Sequence, residues 1–172
     1  FLPSGDLLNR LKLRTSYGIT GNAGIGNFPA RGLWGASSYA GASGISPIQT
    51  PNPALQWEQT REVTVGLDYD LLGNRVSGSI DYYRKTTNDL LLDLNVPATT
   101  GFLSQTRNVG EVKNNGLEFL VETQNFTGDF RWSSNFNISF NRNEVTDIRG
   151  QVLTGGYVNQ AREGEPLGVY YA

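Results

Sequence analysis

Apolar and polar side chains alternate with a period of two in five stretches of this chain, and nowhere does a helical period persist. From Leu11 the series Leu11, Leu13, Thr15, Tyr17 opposes Lys12, Arg14, Ser16, Gly18. Val63, Val65, Leu67, Tyr69 and Leu71 oppose Thr64, Gly66, Asp68 and Asp70, and Val76, Gly78, Ile80, Tyr82 oppose Ser77, Ser79, Asp81, Tyr83. Leu117, Phe119, Val121 and Thr123 share a face away from Glu118 and Glu122. The clearest run sets Phe130, Trp132, Ser134, Phe136, Ile138 and Phe140 against Arg131, Ser133, Asn135, Asn137, Ser139 and Asn141. Side chains of a strand point alternately to its two faces, so the pattern predicts strands near residues 11–18, 60–71, 76–84, 116–123 and 130–141.

The connections alternate in length. Leu72–Arg75 and Gln124–Asp129 are short and carry the Gly and Asn that tolerate the positive φ of tight turns. Ile19–Gln59, Lys85–Asn115 and Arg142–Gly164 are long and rich in Gly, Ser, Asn and Pro. Compact soluble domains rarely use structureless loops beyond about 12–15 residues. Because every second connection is long, all long loops leave one end of an up-and-down antiparallel sheet.

Alternation alone does not separate a soluble β-sandwich from a membrane barrel, since both bury one face of each strand. Strand length does more. The 130–140 stretch would extend about 36 Å at ~3.3 Å per residue, and tilted ~45° it spans the apolar band of a bilayer. Aromatic residues lie toward strand ends (Tyr17, Tyr69, Tyr82, Phe130, Trp132, Phe140), where an interfacial girdle belongs. On the barrel reading Val63, Val65, Leu67, Ile80, Phe119, Val121, Phe136 and Ile138 point to lipid, and Asp68, Asp81, Glu118, Asn135 and Asn137 to the lumen. Five strands cannot close such a barrel, and open edges are forbidden in lipid, so the chain is expected to be part of a larger sheet. A sandwich that binds carbohydrate remains the alternative, and predicts a second sheet covering the apolar face.

Composition narrows the chemistry. The 172 residues include no Cys, His or Met. Thiolate nucleophiles, Cys-based metal sites, Ser-His-Asp triads and imidazole ligands are therefore excluded. A formal charge of −2 argues against a nucleic-acid partner, which calls for a basic face. No apolar run approaches the ~18 residues of a membrane helix, and Phe1–Asp6 lacks the features of a signal peptide. No cofactor and no catalytic or metal-binding residues are expected, and that the protein is not an enzyme is what the resemblance described next implies.

Several strings then become specific. Leu11–Asn22 resembles the LKLRxSYGxTGN stretch of SusC/RagA-type TonB-dependent outer-membrane transporters, and Asn52–Glu58 (NPALQWE) is similar to their NPxLxWE. Asp81-Tyr82-Tyr83 through Thr87-Asn88-Asp89-Leu90-Leu91 resembles DYYxxxTxDLL. Gly101-Phe102, Asn108-Val109-Gly110 and Asn114–Glu118 resemble TGF…NxGxxxNxGxE, and Gly164–Gly168 resembles a run before a later barrel strand. The blocks occur in family order across nearly the whole chain. The resemblance implies an all-β fold, part of a large transmembrane β-barrel with long extracellular loops in the cell outer membrane. It implies import of glycans or peptides, a SusD-like surface lipoprotein over the outer mouth, and TonB acting on a plug outside these residues.

Candidate sites are few. Gly21–Gly26 lacks the spacing, the Lys and the helix of a phosphate-binding loop, so its glycines read as turn formers at the barrel rim. Asp81, Asp89 and Asp93 lack calcium-loop spacing and read as lumen or loop carboxylates. Asn125-Phe126-Thr127 and Asn137-Ile138-Ser139 fit the glycosylation pattern without meaning in a bacterial strand or turn. Trp34, Tyr39, Trp57 and Tyr157, in the long connections, are the candidates for contact with substrate or lid protein, because aromatic faces stack on sugar rings and peptide side chains. The competing expectation is that they pack the loops together.

Overall fold

The computed structural model describes residues 7–154 and 159–170. Its frame is a five-stranded antiparallel sheet of β1 (Leu8–Asn22), β4 (Glu58–Leu71), β5 (Val76–Asn88), β8 (Glu111–Thr127) and β9 (Arg131–Asp147), adjacent in that order. The long connections hold structure of their own. A hairpin of β2 (Leu33–Tyr39) and β3 (Ala42–Gln49) fills the first, and β6 (Leu91–Asn95) with β7 (Ser104–Asn108) fills the second. The third carries β10 (Leu153–Thr154) and β11 (Asn159–Ala161), joined by β12 (Val169–Tyr170) in a small sheet. The five main strands contain the stretches predicted from alternation, but for Phe130 just before β9, and run past most of their ends, β8 and β9 reaching 17 residues each.

Register turns the alternation into rows. Leu13, Leu67, Ile80, Phe119 and Ile138 stand side by side across the five strands on one face. Leu11, Tyr69, Gly78, Val121 and Phe136 flank them on one side, and Thr15, Val65, Tyr82, Leu117 and Phe140 on the other. The opposite face bears Lys12, Asp68, Ser79, Leu120 and Asn137 in one row, and Arg14, Gly66, Asp81, Glu118 and Ser139 in the next. The expected lipid-facing and lumen-facing sets thus fall on opposite faces.

Among the described residues no second sheet lies on the apolar face. Leu13 is 67% exposed, Phe136 59% and Phe140 57%. That uncovered face removes the sandwich alternative, which needs these side chains buried against a partner sheet. Among the described residues the only buried cluster is Val112, Val145 and Ile148, with Leu90, Leu92, Leu153 and Ala161 packed round it, where the second and third long connections meet the main sheet. No described helix is long and apolar enough to cross a membrane, which says nothing of strands.

Both short turns lie at the other end. Leu72, Gly73 and Asn74 all have positive φ, and the Asn9 carboxamide oxygen accepts hydrogen bonds from the Gly73 and Asn74 amides at 2.8 and 3.4 Å. Arg75 ties this turn to the next by donating to the carbonyls of Gln124 and Asn125 at 3.3 and 2.6 Å. A register shift between Gln124 and Phe126 sets Phe126 opposite Trp132, with centroids 5.9 Å apart and rings stacked, and Phe130 lies 5.8 Å from Phe126. The second turn is therefore tighter than its sequence suggests, and it carries an aromatic cluster.

Candidate functional site

The polar face is organised by side chains that reach across neighbouring strands. Arg14 on β1, Gly66 on β4 and Asp81 on β5 occupy one row. Gly66 has no side chain to obstruct, so the Arg14 guanidinium crosses above it and donates to Asp81 at 2.8 Å; a β-carbon at position 66 would collide with both groups. The same guanidinium donates from Nε to both oxygens of Asp68 at 3.0 Å. One cation so joins three strands, and charge-assisted bonds of this kind are about twice as strong as neutral ones. One row further, the Tyr83 ring lies over Gly116 on β8, where a β-carbon would strike it.

Beside these groups the wall is concave. Arg14, Glu62, Tyr83, Lys85, Asn114 and Glu118 are among the residues lining an open depression of about 680 Å³. Glu62 and Lys85 pair across it at 3.2 Å. Its lining offers both signs of charge, amide donors and an aromatic face, which suits polar solutes rather than a reaction. No group of His, Cys, Asp or Glu among the described residues could hold a metal ion. Asp81 is engaged by Arg14 and Asp93 by the Thr106 hydroxyl, while Asp89 shapes a loop with φ 58°.

At the loop end the strings read from the sequence become a set of clamps. Asn108 accepts from the Gln56 amide at 2.7 Å and donates to the carbonyls of Gln56 and Asp89 at 2.8 and 3.0 Å. Asn52 donates to the Thr106 carbonyl at 2.8 Å. The Glu58 carboxylate accepts from the Asn22 side chain at 2.8 Å and the Leu91 amide at 2.9 Å. The first and second long connections are therefore fastened to each other and to β1. In the third, Glu163 accepts from the amides of Gly150 and Ile148 at 2.7 and 2.9 Å, and these bonds hold its carboxyl below the ordinary carboxylate range.

The candidate aromatics are dispersed. Trp34 and Tyr39 lie on β2 rather than in irregular loop, five positions apart and hence on opposite faces of the hairpin, 65% and 88% exposed. Trp57 immediately precedes β4 with its ring against Gly21, where a β-carbon would come within 3.1 Å. Tyr157 lies outside the described residues. Sequence reasoning placed Asp68 and Asp81 on the polar face but missed their shared partner Arg14 and the Asn108 clamp, because both depend on register between distant strands.

A two-faced sheet with one uncovered apolar band, one polar wall, short turns at one end and structured loops at the other is a stretch of membrane β-barrel wall. Residues 1–168 match the family described as "TonB dependent receptor-like, beta-barrel", and the chain belongs to that family. It is 39% identical to TonB-dependent receptor P39 of Formosa agariphila over 99% of its length and 17% of that protein's. It is 35% identical to TonB-dependent receptor SusC of Bacteroides thetaiotaomicron over 87% of its length and 16% of that protein's. The structure titled as the RagAB peptide transporter superposes with a TM-score of 0.86 at 31% identity, covering 99% of this chain and 19% of that one. The chain thus spans under a fifth of the relatives it matches. Its place is the outer membrane.

Proposed function

We propose that the whole protein imports a glycan or peptide across the outer membrane, and that these 172 residues are the part of its barrel wall containing β1, β4, β5, β8 and β9. The observation that carries this reading is the two-faced sheet: its apolar rows meet lipid while its polar wall offers Arg14, Asp81, Tyr83 and Glu118 to the lumen. Likeness to a structure named a peptide transporter and to a SusC receptor supports uptake rather than catalysis. The energy would come through TonB acting on a plug outside these residues, and a SusD-like lipoprotein would cover the loop end. In this reading Trp34, Tyr39, Trp57 and Tyr157 contact substrate or the lid.

The test is uptake by cells lacking the parent gene, challenged with oligosaccharide and peptide mixtures. Loss of uptake of one class, restored by the parent gene and abolished again without TonB, is the expected result. Uptake that survives the loss of TonB would overturn the reading.

A further inference from the structure

The apolar face does not stay apolar to its upper edge. Above the row of Val65, Tyr82, Leu117 and Phe140, the next outward positions are Tyr17, Val63, Arg84, Asn115 and Arg142. The row after that holds Ile19, Arg61, Thr86, Lys113 and Glu144. Arg61, Arg84, Lys113 and Arg142 sit on four successive strands, each diagonal to the next, in a zigzag at the loop end of the lipid-facing surface. Diagonal neighbours on one face stand about 7–8 Å apart, within reach of long side chains.

Four cations so placed repel one another, and the chain supplies only part of the counter-charge. Lys113 pairs with Glu111 at 2.7 Å, and Arg142 approaches Glu144 at 3.8 Å with 80% of its side chain exposed. The Arg61 and Arg84 side chains are exposed and make no hydrogen bond or ion pair among the described residues, and the Glu111 carboxylate that attracts Arg84 is already paired with Lys113. The local excess is two positive charges on a chain whose formal charge is −2, so composition does not account for it. Tyr17 and Tyr82, at the cluster's lower border, mark the level where aromatic side chains meet the headgroups. The cations therefore sit at headgroup depth, beyond the hydrocarbon that would penalise them.

We propose that Arg61, Arg84, Lys113 and Arg142 form a binding site for the phosphate of an outer-leaflet lipid headgroup, docked on the outside of the barrel wall. The planar guanidinium groups of Arg61 and Arg84 suit phosphate oxygens, which accept paired N–H bonds. The lipid's chains then lie along Val63, Val65, Tyr82 and Phe140. This rests on the barrel reading, and it concerns the membrane side of the wall rather than the transport path.

The test uses the parent transporter reconstituted in phosphatidylcholine bilayers containing a minor fraction of phosphorylated lipid A. Retained lipid is measured by native mass spectrometry, and barrel insertion by heat-modifiable gel migration of the same samples. The wild type should enrich phosphorylated over dephosphorylated lipid A. Arg61→Gln with Arg84→Gln should lose that enrichment by roughly fivefold per arginine, while Lys12→Gln on the polar face should keep it. Insertion without enrichment, or an equal loss in Lys12→Gln, overturns the proposal and leaves the barrel standing. Failure of the wild type to insert overturns both. Displacement by an equal concentration of inorganic phosphate would assign a soluble-anion site and overturn the lipid.

Discussion

Replacing Ile138 by Arg tests the lipid-facing assignment near the middle of the apolar rows. Ile138 closes the row Leu13, Leu67, Ile80, Phe119, and the first cation on its own strand, Arg142, stands four residues higher. Four residues rise about 13 Å along a strand at ~3.3 Å each, or about 10 Å along the membrane normal at a ~40° tilt. The apolar band of such barrels is about 25 Å tall, so a site about 10 Å below the cation level lies close to the midplane. A guanidinium there must climb that distance or draw water down, at a cost of about 2–4 kcal/mol. Phe140→Arg, one row nearer the interface, should cost less, and Asn137→Arg on the polar face should stay within about 0.5 kcal/mol. The assay is urea-titrated folding of the parent barrel into phosphatidylcholine bilayers of shorter and longer acyl chains. Thinner bilayers should shrink the Ile138→Arg penalty and leave Asn137→Arg unmoved. A penalty indifferent to thickness, or equal at the two sites, would refute the assignment.

Other substitutions probe the wall and its loops. At Gly78 a β-carbon would strike the Leu120 carbonyl and the Tyr69 ring, so Gly78→Ala should destabilise the parent barrel by about 1–3 kcal/mol, whereas Gly18→Ala, with nothing within 4 Å, should be near neutral in the same urea titration. Asn108→Ala removes the clamp on Gln56 and Asp89 at about 1 kcal/mol per lost bond, and limited proteolysis should cut the long connections faster while the strands stay intact. The folded-state value of Glu163 is lowered by the Gly150 and Ile148 amides, so its contribution holds at neutral pH and is lost as pH falls through that value. Amide exchange at Gly150 and Ile148 should accelerate there relative to Glu163→Gln, which removes the charge at every pH. Cysteine placed at 39 should react with an impermeant label in intact cells and cysteine placed at 74 should not; the reverse result would invert the topology.

Alternation read the frame well because a two-sided environment stamps a period of two on every strand it contains. It lost the strand ends for the same reason. Residues 85–88 are polar on both faces, and 111–115 and 142–147 are polar but for the buried Val112 and Val145, yet backbone pairing carries β5, β8 and β9 through them. The β2–β3 hairpin was invisible because Leu33–Tyr39 and Ala42–Gln49 are short, rich in Gly, Ala and Ser, and largely exposed on both sides. The wall's chemistry was half legible. Asp68 and Asp81 follow from parity, but their union through Arg14 needs a register that places Gly66 between them. The NPALQWE string was recognisable while its work was not, since Asn52, Gln56 and Glu58 act on partners more than 30 residues away.

The outer edge of β9 needs a neighbouring strand of the parent barrel, and that need sets an order of events in biogenesis. On an antiparallel edge every second residue turns its N–H and C=O outward, and β9 crosses the apolar band with the nine residues 132–140. Each unpaired group in hydrocarbon costs several kcal/mol, so roughly ten of them make insertion of this sheet alone prohibitive. The opposite edge, on β1, doubles that barrier. Entry into the bilayer is therefore kinetically tied to pairing: the neighbouring strands must be in place, or arrive through a partner that lends its own edge, before the apolar face can leave water. A mutation that slows the pairing of β1 or β9 would then show itself as unfolded parent protein held in the periplasm, even where the finished barrel is fully stable.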